Sequence, residues 1–317
     1  MSRFSYRSDE DYDEPPRPRR TSKPKRAEPK PPPVKQSYES NADVQRWLRE
    51  QDFEAGAAKP PFDPGLLAGR RDRDWILSSL SHFYEQNLIT DVLHVAKSGK
   101  EATVFCCAAH PATGLELVAA KIYRPRMFRS LRNDAVYREG RAQRDERGHP
   151  LHDRRRKPGG ERGRAVAISA WIGFEFETQL LLHSAGARVP RPLAQIGNAV
   201  LMEFVGTADE LAPRLSEVAL TPEEARAACG ALLDEIGLYL RSQRIHGDLS
   251  AYNILYDAGR PVVIDFAQAV DPRHSGDAPA LLARDIDRVA RFFAPYGVEV
   301  DVQGTAFALW EHYLTGA

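Results

Sequence analysis

The sequence contains few cysteines and no long hydrophobic segment. Only three cysteines occur among 317 residues, and because Cys106 and Cys107 are adjacent and Cys229 is distant, they have neither zinc-ligand spacing nor an even disulfide framework. No apolar run approaches the roughly 20 residues that cross a bilayer, and the first residues lead into acidic ones without the apolar core of a signal peptide. These absences argue against a disulfide-stapled secreted domain and a membrane protein, and they predict a cytoplasmic location.

Net charge is also absent, since 44 basic side chains balance 44 acidic ones. The balance combines an acidic block at residues 9–14 with a basic, proline-rich block at residues 17–35. Residues 1–66 as a whole are too polar and proline-rich to bury enough apolar surface to offset chain entropy, so they predict a disordered tail. Its basic part is a candidate contact for RNA phosphates or the ribosome, and a solvated linker is the alternative.

Residues 67–206 predict a small β-rich lobe with a leading helix over residues 74–88, where apolar side chains recur at helical spacing. Turn signals then separate three segments rich in β-formers, which predicts an antiparallel meander. Residues 124–165 are rich in arginine and broken by glycine and proline, which indicates a flexible insert. A helix over residues 165–184 and a strand over residues 199–205 complete this lobe.

Residues 207–317 predict a mostly helical lobe. The segment Thr221-Pro222-Glu223-Glu224 combines an N-cap, a proline at the first helical position and a capping-box glutamate, so it begins a helix that extends to about residue 242. Apolar faces predict two further helices over residues 280–293 and 305–314. The predicted fold class is therefore α+β, with a small antiparallel lobe followed by a helical one.

The strongest functional signal lies in residues 245–265. Asp248 and Asn253 have the D-x-x-x-x-N spacing of a phosphotransferase catalytic loop, in which the aspartate orients an acceptor hydroxyl and the asparagine binds magnesium. Asp265 follows an apolar run, as does the carboxylate that holds the nucleotide-bound metal in kinases. These residues predict a phosphoryl-transfer site with Mg²⁺ or Mn²⁺, and the alternative is a surface turn between a helix and a hairpin.

Lys121 is the second functional signal, because it is a cation in the middle of the apolar strand Leu117–Tyr123 and shares a strand face with Ala119. In kinases such a lysine contacts the α- and β-phosphates and pairs with a glutamate on the next helix. The alternative is a lysine that guards an edge strand. Glu175 and Glu177 are both candidates for the partner, but two residues separate them by about 200° on a helix, so only one can meet Lys121.

These motifs identify the chain as similar to the RIO family of atypical protein kinases over residues 74–300. The resemblance is carried by the segments Ser98-Gly99-Lys100-Glu101-Ala102 with Val104, Ala120-Lys121-Ile122-Tyr123, Phe174-Glu175-Phe176, Met202-Glu203-Phe204-Val205-Gly206, His246 to Asn253, and Ile264-Asp265-Phe266-Ala267-Gln268. Gly99 is the only glycine of the phosphate loop, and no A-P-E segment follows Asp265, two absences that RIO proteins share. They remove the usual peptide-docking helix, so the resemblance supports nucleotide chemistry more firmly than any particular protein substrate.

The resemblance implies a two-lobed protein-kinase-like fold and an ATP- and magnesium-dependent serine/threonine kinase. Asp248 would orient the acceptor, Asn253 and Asp265 would bind the metal, and Asp265 could itself become an aspartyl-phosphate in an ATPase-switch mode. The residues expected to bind ATP are Ser98, Lys100, Val104, Lys121, Glu175, Glu203, Val205 and Leu255.

Two other function classes remain open. A small-molecule kinase of the aminoglycoside- or choline-kinase type also carries H-G-D-x-x-x-x-N followed by I-D-F, although Ser250 and Gln268 argue against it. A non-enzymatic module that retains ATP as structural glue would be expected to have lost Asp248, Asn253 or Asp265, and all three are present.

Overall fold

The computed structural model describes residues 60–124 and 161–316, with backbone alone for residues 161–169. The predicted disorder and RNA contact of the tail up to residue 59, and most of the predicted insert, lie outside these residues. No helix within the described residues is long and apolar enough to span a membrane.

The elements of the first lobe are α1 (Arg73–Glu85), β1 (Ile89–Ser98), β2 (Ala102–Ala109), β3 (Leu117–Tyr123), α2 (Glu161–Ser184), β4 (Pro192–Ile196) and β5 (Ala199–Glu203). Its strands form a five-stranded antiparallel sheet in the order β1-β2-β3-β5-β4. The central strand β3 pairs with β2 on one side and β5 on the other, so that Lys121 lies between Val104 and Val200. This position excludes the edge-strand interpretation of Lys121.

Strand alternation separates the two faces of this sheet. Val118, Ala120 and Ile122 pack into one buried cluster with Leu80 and Phe83 of α1. The next residues along β3 point to the opposite face, where Ala119 packs with Phe204. The face that carries Lys121 is therefore the one that α1 does not cover, and it can line the functional site.

The boundaries of the lobe differ from those predicted. Residues 60–66 were assigned to the disordered tail, yet the Phe62 ring stacks on Tyr84 at 4.7 Å between centroids and a short 3₁₀ helix spans Gly65–Leu67. The leading helix stops at Glu85, and the helix expected from residue 165 begins at Glu161. Strand β4 was not predicted, because its first residue, Pro192, belongs to a proline pair that indicated a chain break.

The second lobe contains the helices α3 (Pro222–Arg241), α4 (Ala278–Phe293) and α5 (Val302–Thr315), with the hairpin β6 (Ile254–Asp257) and β7 (Arg260–Val263). The predicted capping box is present, since Thr221 Oγ1 accepts from the Glu224 N–H at 3.2 Å and the Glu224 carboxylate accepts from the Thr221 N–H at 2.8 Å. A buried apolar cluster joins α3, α4 and the catalytic loop. The prediction of an α+β fold with a β-rich and then a helical lobe is confirmed.

Candidate active site

A cleft of about 390 Å³ lies between the sheet of the first lobe and the β6–β7 hairpin of the second. One part of its wall is apolar, with Val104 and Ala119 on the sheet side and Leu255 and Ile264 on the hairpin side. Glu203 and Val205, where β5 leaves the sheet, also line the cleft. An apolar wall of this kind suits a heteroaromatic ring such as adenine.

The other part of the cleft is charged and is organised by Lys121. Its Nζ lies 2.7 Å from Glu175 Oε1 and 2.8 Å from Asp265 Oδ1. The pairing with Glu175 rather than Glu177 is the predicted one, and Glu177 is exposed. The contact with Asp265 was not predicted, because strand β3 and the end of β7 are 144 residues apart in the chain.

The three groups of this contact differ in burial and in the direction of their pKa shifts. Burial raises the pKa of Glu175 to about 7 although the Lys121 charge lowers it. Burial disfavours the charged form of Lys121, but Asp265 and Glu175 outweigh it and raise the lysine pKa. For Asp265, burial is outweighed by Lys121, so its pKa lies below the usual value. The lysine is thus held as a cation and Asp265 as an anion.

Tyr123 is a further member of this site that the sequence did not reveal. Its hydroxyl donates to Glu175 Oε2, and its ring lies 5.0 Å from Lys121 Nζ and packs edge-on against Trp171. The sequence feature that could have identified Tyr123 is the period of two along β3, which places residues 121 and 123 on one face. Because both carboxylate oxygens of Glu175 are engaged, α2 is fixed against the sheet at this point.

The turn between β1 and β2 forms the rim of the charged end. Gly99 and Lys100 line the cleft, and the Gly99 N–H donates to the Ala102 carbonyl at 2.9 Å. Ser98, predicted to approach the phosphates, accepts instead from Arg124 Nη2 at 2.6 Å, and the same guanidinium group reaches Thr103 Oγ1 at 2.9 Å. Arg124 thus ties this turn to the end of β3.

The predicted catalytic loop places Asp248 and Asn253 side by side. Asn253 Nδ2 donates to the Asp248 carbonyl at 2.9 Å and lies 3.4 Å from Asp248 Oδ2. His246 joins this loop to the end of β7, since its Nδ1 accepts from the Asp248 N–H and its Nε2 lies 3.2 Å from the Ile264 carbonyl. A neutral imidazole with its proton on Nε2 satisfies both contacts.

Asp285 on α4 holds the same loop from below and was also missed by the sequence prediction. It is 1% exposed, and its carboxylate accepts from the Gly247 N–H at 2.7 Å and from the Leu249 N–H at 3.1 Å. The sequence feature that could have identified Asp285 is an acidic residue at a core position of α4, one turn from Leu282 and Val289. Gly247 is required here, because it has φ +77° and an added Cβ would lie 2.5 Å from the Gln268 carbonyl.

Asn253 and Asp265 offer the oxygen ligands of a magnesium site. Both line the charged end of the cleft, and Asp265 is held at φ 69° and ψ 71°, a left-handed conformation that costs a non-glycine residue about 1–2 kcal/mol. Among the described residues no group of three histidine, cysteine, aspartate or glutamate side chains could hold a metal unaided. One carboxylate and one amide fit Mg²⁺ that keeps several waters and also binds phosphates.

The structure thus brings most of the predicted site residues into one cleft. Those on its wall are Lys100, Val104, Lys121, Glu175, Glu203, Val205, Asn253, Leu255 and Asp265. Asp248 lies next to Asn253 and is half-exposed. Ser98 lies at the rim in the contact with Arg124.

The sequence matches known proteins over the residues that form this cleft. The family model described as "RIO domain" matches residues 104–305. The RIO-type serine/threonine-protein kinase Rio1 of Haloferax volcanii is 36% identical over 206 residues, which cover 64% of this chain and 63% of that protein. The serine/threonine-protein kinase RIO1 of Chaetomium thermophilum is 29% identical over 241 residues, or 73% of this chain and 44% of that protein. The chain thus spans less than two thirds of the length of each of these relatives.

A solved structure has the same fold. The Rio2 kinase-ADP/Mg²⁺-phosphoaspartate complex from Chaetomium thermophilum superposes with a TM-score of 0.52 at 21% identity, over 73% of this chain and 65% of that one. At this identity the similarity supports the two-lobed kinase-like architecture alone. The family model covers more than half of the chain, and the chain therefore belongs to the RIO domain family.

Proposed function

We propose that this chain is a RIO-type serine/threonine kinase that transfers the γ-phosphoryl group of ATP to a protein hydroxyl. The observation that carries the proposal is the contact of Lys121 with both Glu175 and Asp265 at the charged end of an apolar cleft. Phosphoryl transfer depends mainly on positioning and charge neutralisation, and this contact supplies a fixed cation beside a metal-binding carboxylate. The relatives named as serine/threonine kinases support the same activity.

Each residue has a separate role in this proposal. Val104 and Leu255 would enclose the adenine, whose edge would meet the backbone of Glu203 and Val205. Lys100 and Lys121 would contact the phosphates. Bound magnesium, held by Asn253 and Asp265, would neutralise charge on the phosphate oxygens.

Asp248 has the role that decides the reaction. Its carboxylate lies beside Asn253 and is 47% exposed, so it can accept a hydrogen bond from an acceptor hydroxyl that arrives from solvent. A carboxylate in this position orients the hydroxyl and receives its proton as the new P–O bond forms.

A second mode, ATP hydrolysis through an aspartyl-phosphate at Asp265, is favoured by one contact. Asp265 Oδ1 lies 2.8 Å from the lysine that would hold the phosphates, which places a carboxylate oxygen where it could attack a phosphorus atom. The similar Rio2 structure is named as a phosphoaspartate complex. In this mode the Asp265 carboxylate would form a bond to the γ-phosphorus of ATP as the bond to the bridging oxygen breaks and ADP leaves. Water would then hydrolyse the acyl-phosphate to inorganic phosphate and regenerate the Asp265 carboxylate.

Incubation of the purified protein with labelled ATP and magnesium tests both modes. Acid-stable label that disappears in Asp248→Asn would support transfer to serine or threonine. Label that hydroxylamine removes and that is absent from Asp265→Asn would support the aspartyl-phosphate. Absence of both labels and of ATP hydrolysis in the unmodified protein would refute the proposal.

For partners, we further propose that the basic segment between Arg17 and Arg26 contacts RNA or ribosomes. The support is its composition alone. Such binding should weaken as salt rises and disappear when residues 1–59 are removed, whereas ATP hydrolysis should not change.

A further inference from the structure

The half-exposed carboxylate of Asp248 has a partner outside the nucleotide cleft. Arg288 Nη1, on α4, lies 2.5 Å from Asp248 Oδ1. The side chain of Arg288 is 36% exposed and that of Asp248 is 47% exposed. The atom that should receive the acceptor hydroxyl is thus held by a guanidinium group that solvent can reach.

Arg288 belongs to a row of arginines on one face of α4. Residues 284, 288 and 291 are separated by four and three positions, so they lie above one another over about 10 Å of helix. Arg284 donates to the Gly247 carbonyl. The row therefore begins at the catalytic loop and leads away from it.

The outer end of the row is exposed. The Arg291 side chain is 79% exposed, and its Nε lies 3.0 Å from Asp287 Oδ1. An exposed pair of this i,i+4 type contributes about 0.3–0.5 kcal/mol, so a competing carboxylate can replace Asp287 at little cost. The contact of Arg288 with Asp248 joins two different elements and is partly exposed, so an incoming carboxylate can reach its guanidinium group.

We propose that the arginine row of α4 is the docking surface for the protein substrate and that it selects hydroxyl residues flanked by acidic side chains. Without substrate, Arg288 holds Asp248. An acidic residue of the substrate binds the Arg288 guanidinium group in place of Asp248, so that Asp248 Oδ1 can accept a hydrogen bond from the acceptor hydroxyl. Charge complementarity and position both point to this partner, since Arg288, the middle residue of the row, contacts the carboxylate that an acceptor must reach. The inference rests on the proposed function, because it names the substrate class of the same site.

RNA is a less suitable partner for this surface. Nucleic-acid sites neutralise several phosphates in succession, whereas this short row offers three arginines, of which Arg284 is bound to the Gly247 carbonyl and Arg291 pairs with Asp287. Short acidic peptide segments need only one or two cations beside the acceptor hydroxyl.

Peptide binding tests the proposal without requiring turnover. Two fluorescent peptides differ only around one serine, with Asp-Asp-Ser-Asp-Asp in one and Asn-Asn-Ser-Asn-Asn in the other. Their affinities are measured by anisotropy with Mg²⁺ and a non-hydrolysable ATP analogue. We expect the acidic peptide to bind about tenfold more tightly, since charge-assisted hydrogen bonds are roughly twice as strong as neutral ones, and we expect this preference to decrease as salt rises.

Three variants locate the preference. Arg288→Ala should reduce the affinity ratio to about one, Arg288→Lys should retain part of it because it keeps the charge, and Arg291→Ala should lower it about threefold because that residue is more exposed. Arg226→Ala, an exposed arginine of α3, is the matched control and should leave the ratio unchanged. Residue 291 lies at the outer end of the row, away from the catalytic loop, so Arg291→Ala tests the docking surface even if Arg288→Ala fails to fold.

Several outcomes would overturn the docking surface. One is equal or undetectable binding of both peptides to the unmodified protein. A second is an affinity ratio of the two peptides that is undiminished in both Arg288→Ala and Arg291→Ala. A third is displacement of the acidic peptide by single-stranded RNA at a lower concentration of negative charges than polyglutamate requires. Labelling from ATP is measured separately. Labelling without a peptide preference would refute this inference alone, and peptide preference without labelling or hydrolysis would refute the kinase proposal alone.

Discussion

Glu175→Gln should change how the stability of the protein depends on pH. The Glu175 side chain is 2% exposed, and burial raises its pKa from the ordinary 4.5 to about 7, although Lys121 lowers it. Between these two values the folded protein holds a proton on Glu175 that the unfolded chain has lost. The free energy of unfolding therefore falls as pH rises through this window, and it levels off above pH 7.

The size of the effect follows from the same shift. One pKa unit corresponds to about 1.4 kcal/mol, so a rise from 4.5 to about 7 costs the folded protein about 3 kcal/mol at pH 8. Glutamine has nearly the same shape and does not titrate. We therefore expect the free energy of unfolding of Glu175→Gln, relative to the unmodified protein, to increase by up to about 3 kcal/mol between pH 4.5 and pH 8.

Urea unfolding followed by circular dichroism at constant ionic strength, in steps from pH 5 to pH 8, measures this difference. Glu177→Gln is the matched control, because residue 177 is an exposed glutamate two positions along the same helix. Its stability should run parallel to that of the unmodified protein. A Glu175→Gln curve that is also parallel would refute the conclusion that burial dominates over Lys121 at this carboxylate.

Three further predictions concern the cleft and its support. The double variant Lys121→Ala with Glu175→Ala should have about the same kcat/KM for ATP hydrolysis as the poorer of the two single variants, because the two residues act as a unit. Additive losses in the double variant would contradict the pairing. Calorimetry should show weaker magnesium-ATP binding for Asp265→Asn and unchanged binding for Asp248→Asn. The turnover of Asp248→Asn should nevertheless fall by about 10² or more. Loss of binding in Asp248→Asn with retained binding in Asp265→Asn would contradict the roles assigned to these two residues. Asp285→Ala should lower the free energy of unfolding by about 2–5 kcal/mol in urea titrations, because two buried loop amides lose their acceptor, and a change below about 0.5 kcal/mol would contradict this support.

Local sequence patterns determined the elements that propensity and capping control. The Thr221 capping box begins α3, and the period of two along β3 separates Lys121 from the core-facing residues. The spacing of Asp248 and Asn253 identified the catalytic loop because both lie within one short segment. Strand β4 was missed because its signal is weak beside Pro190 and Pro192, and tertiary contacts stabilise it, namely pairing with β5 and the packing of Leu193 and Ile196 on the core of the first lobe.

The tertiary structure decided which distant residues meet. Nothing in the local pattern of Asp265 indicates that it contacts Lys121, since that contact depends on how the two lobes pack. Asp285 and Arg288 lie on one helix and could not be assigned to the catalytic loop until α4 was packed beneath it. The sequence by itself therefore determined the chemistry that each segment can supply. Packing decided the partners, because burial and charge pairing depend on three-dimensional distance, which separation along the chain does not fix.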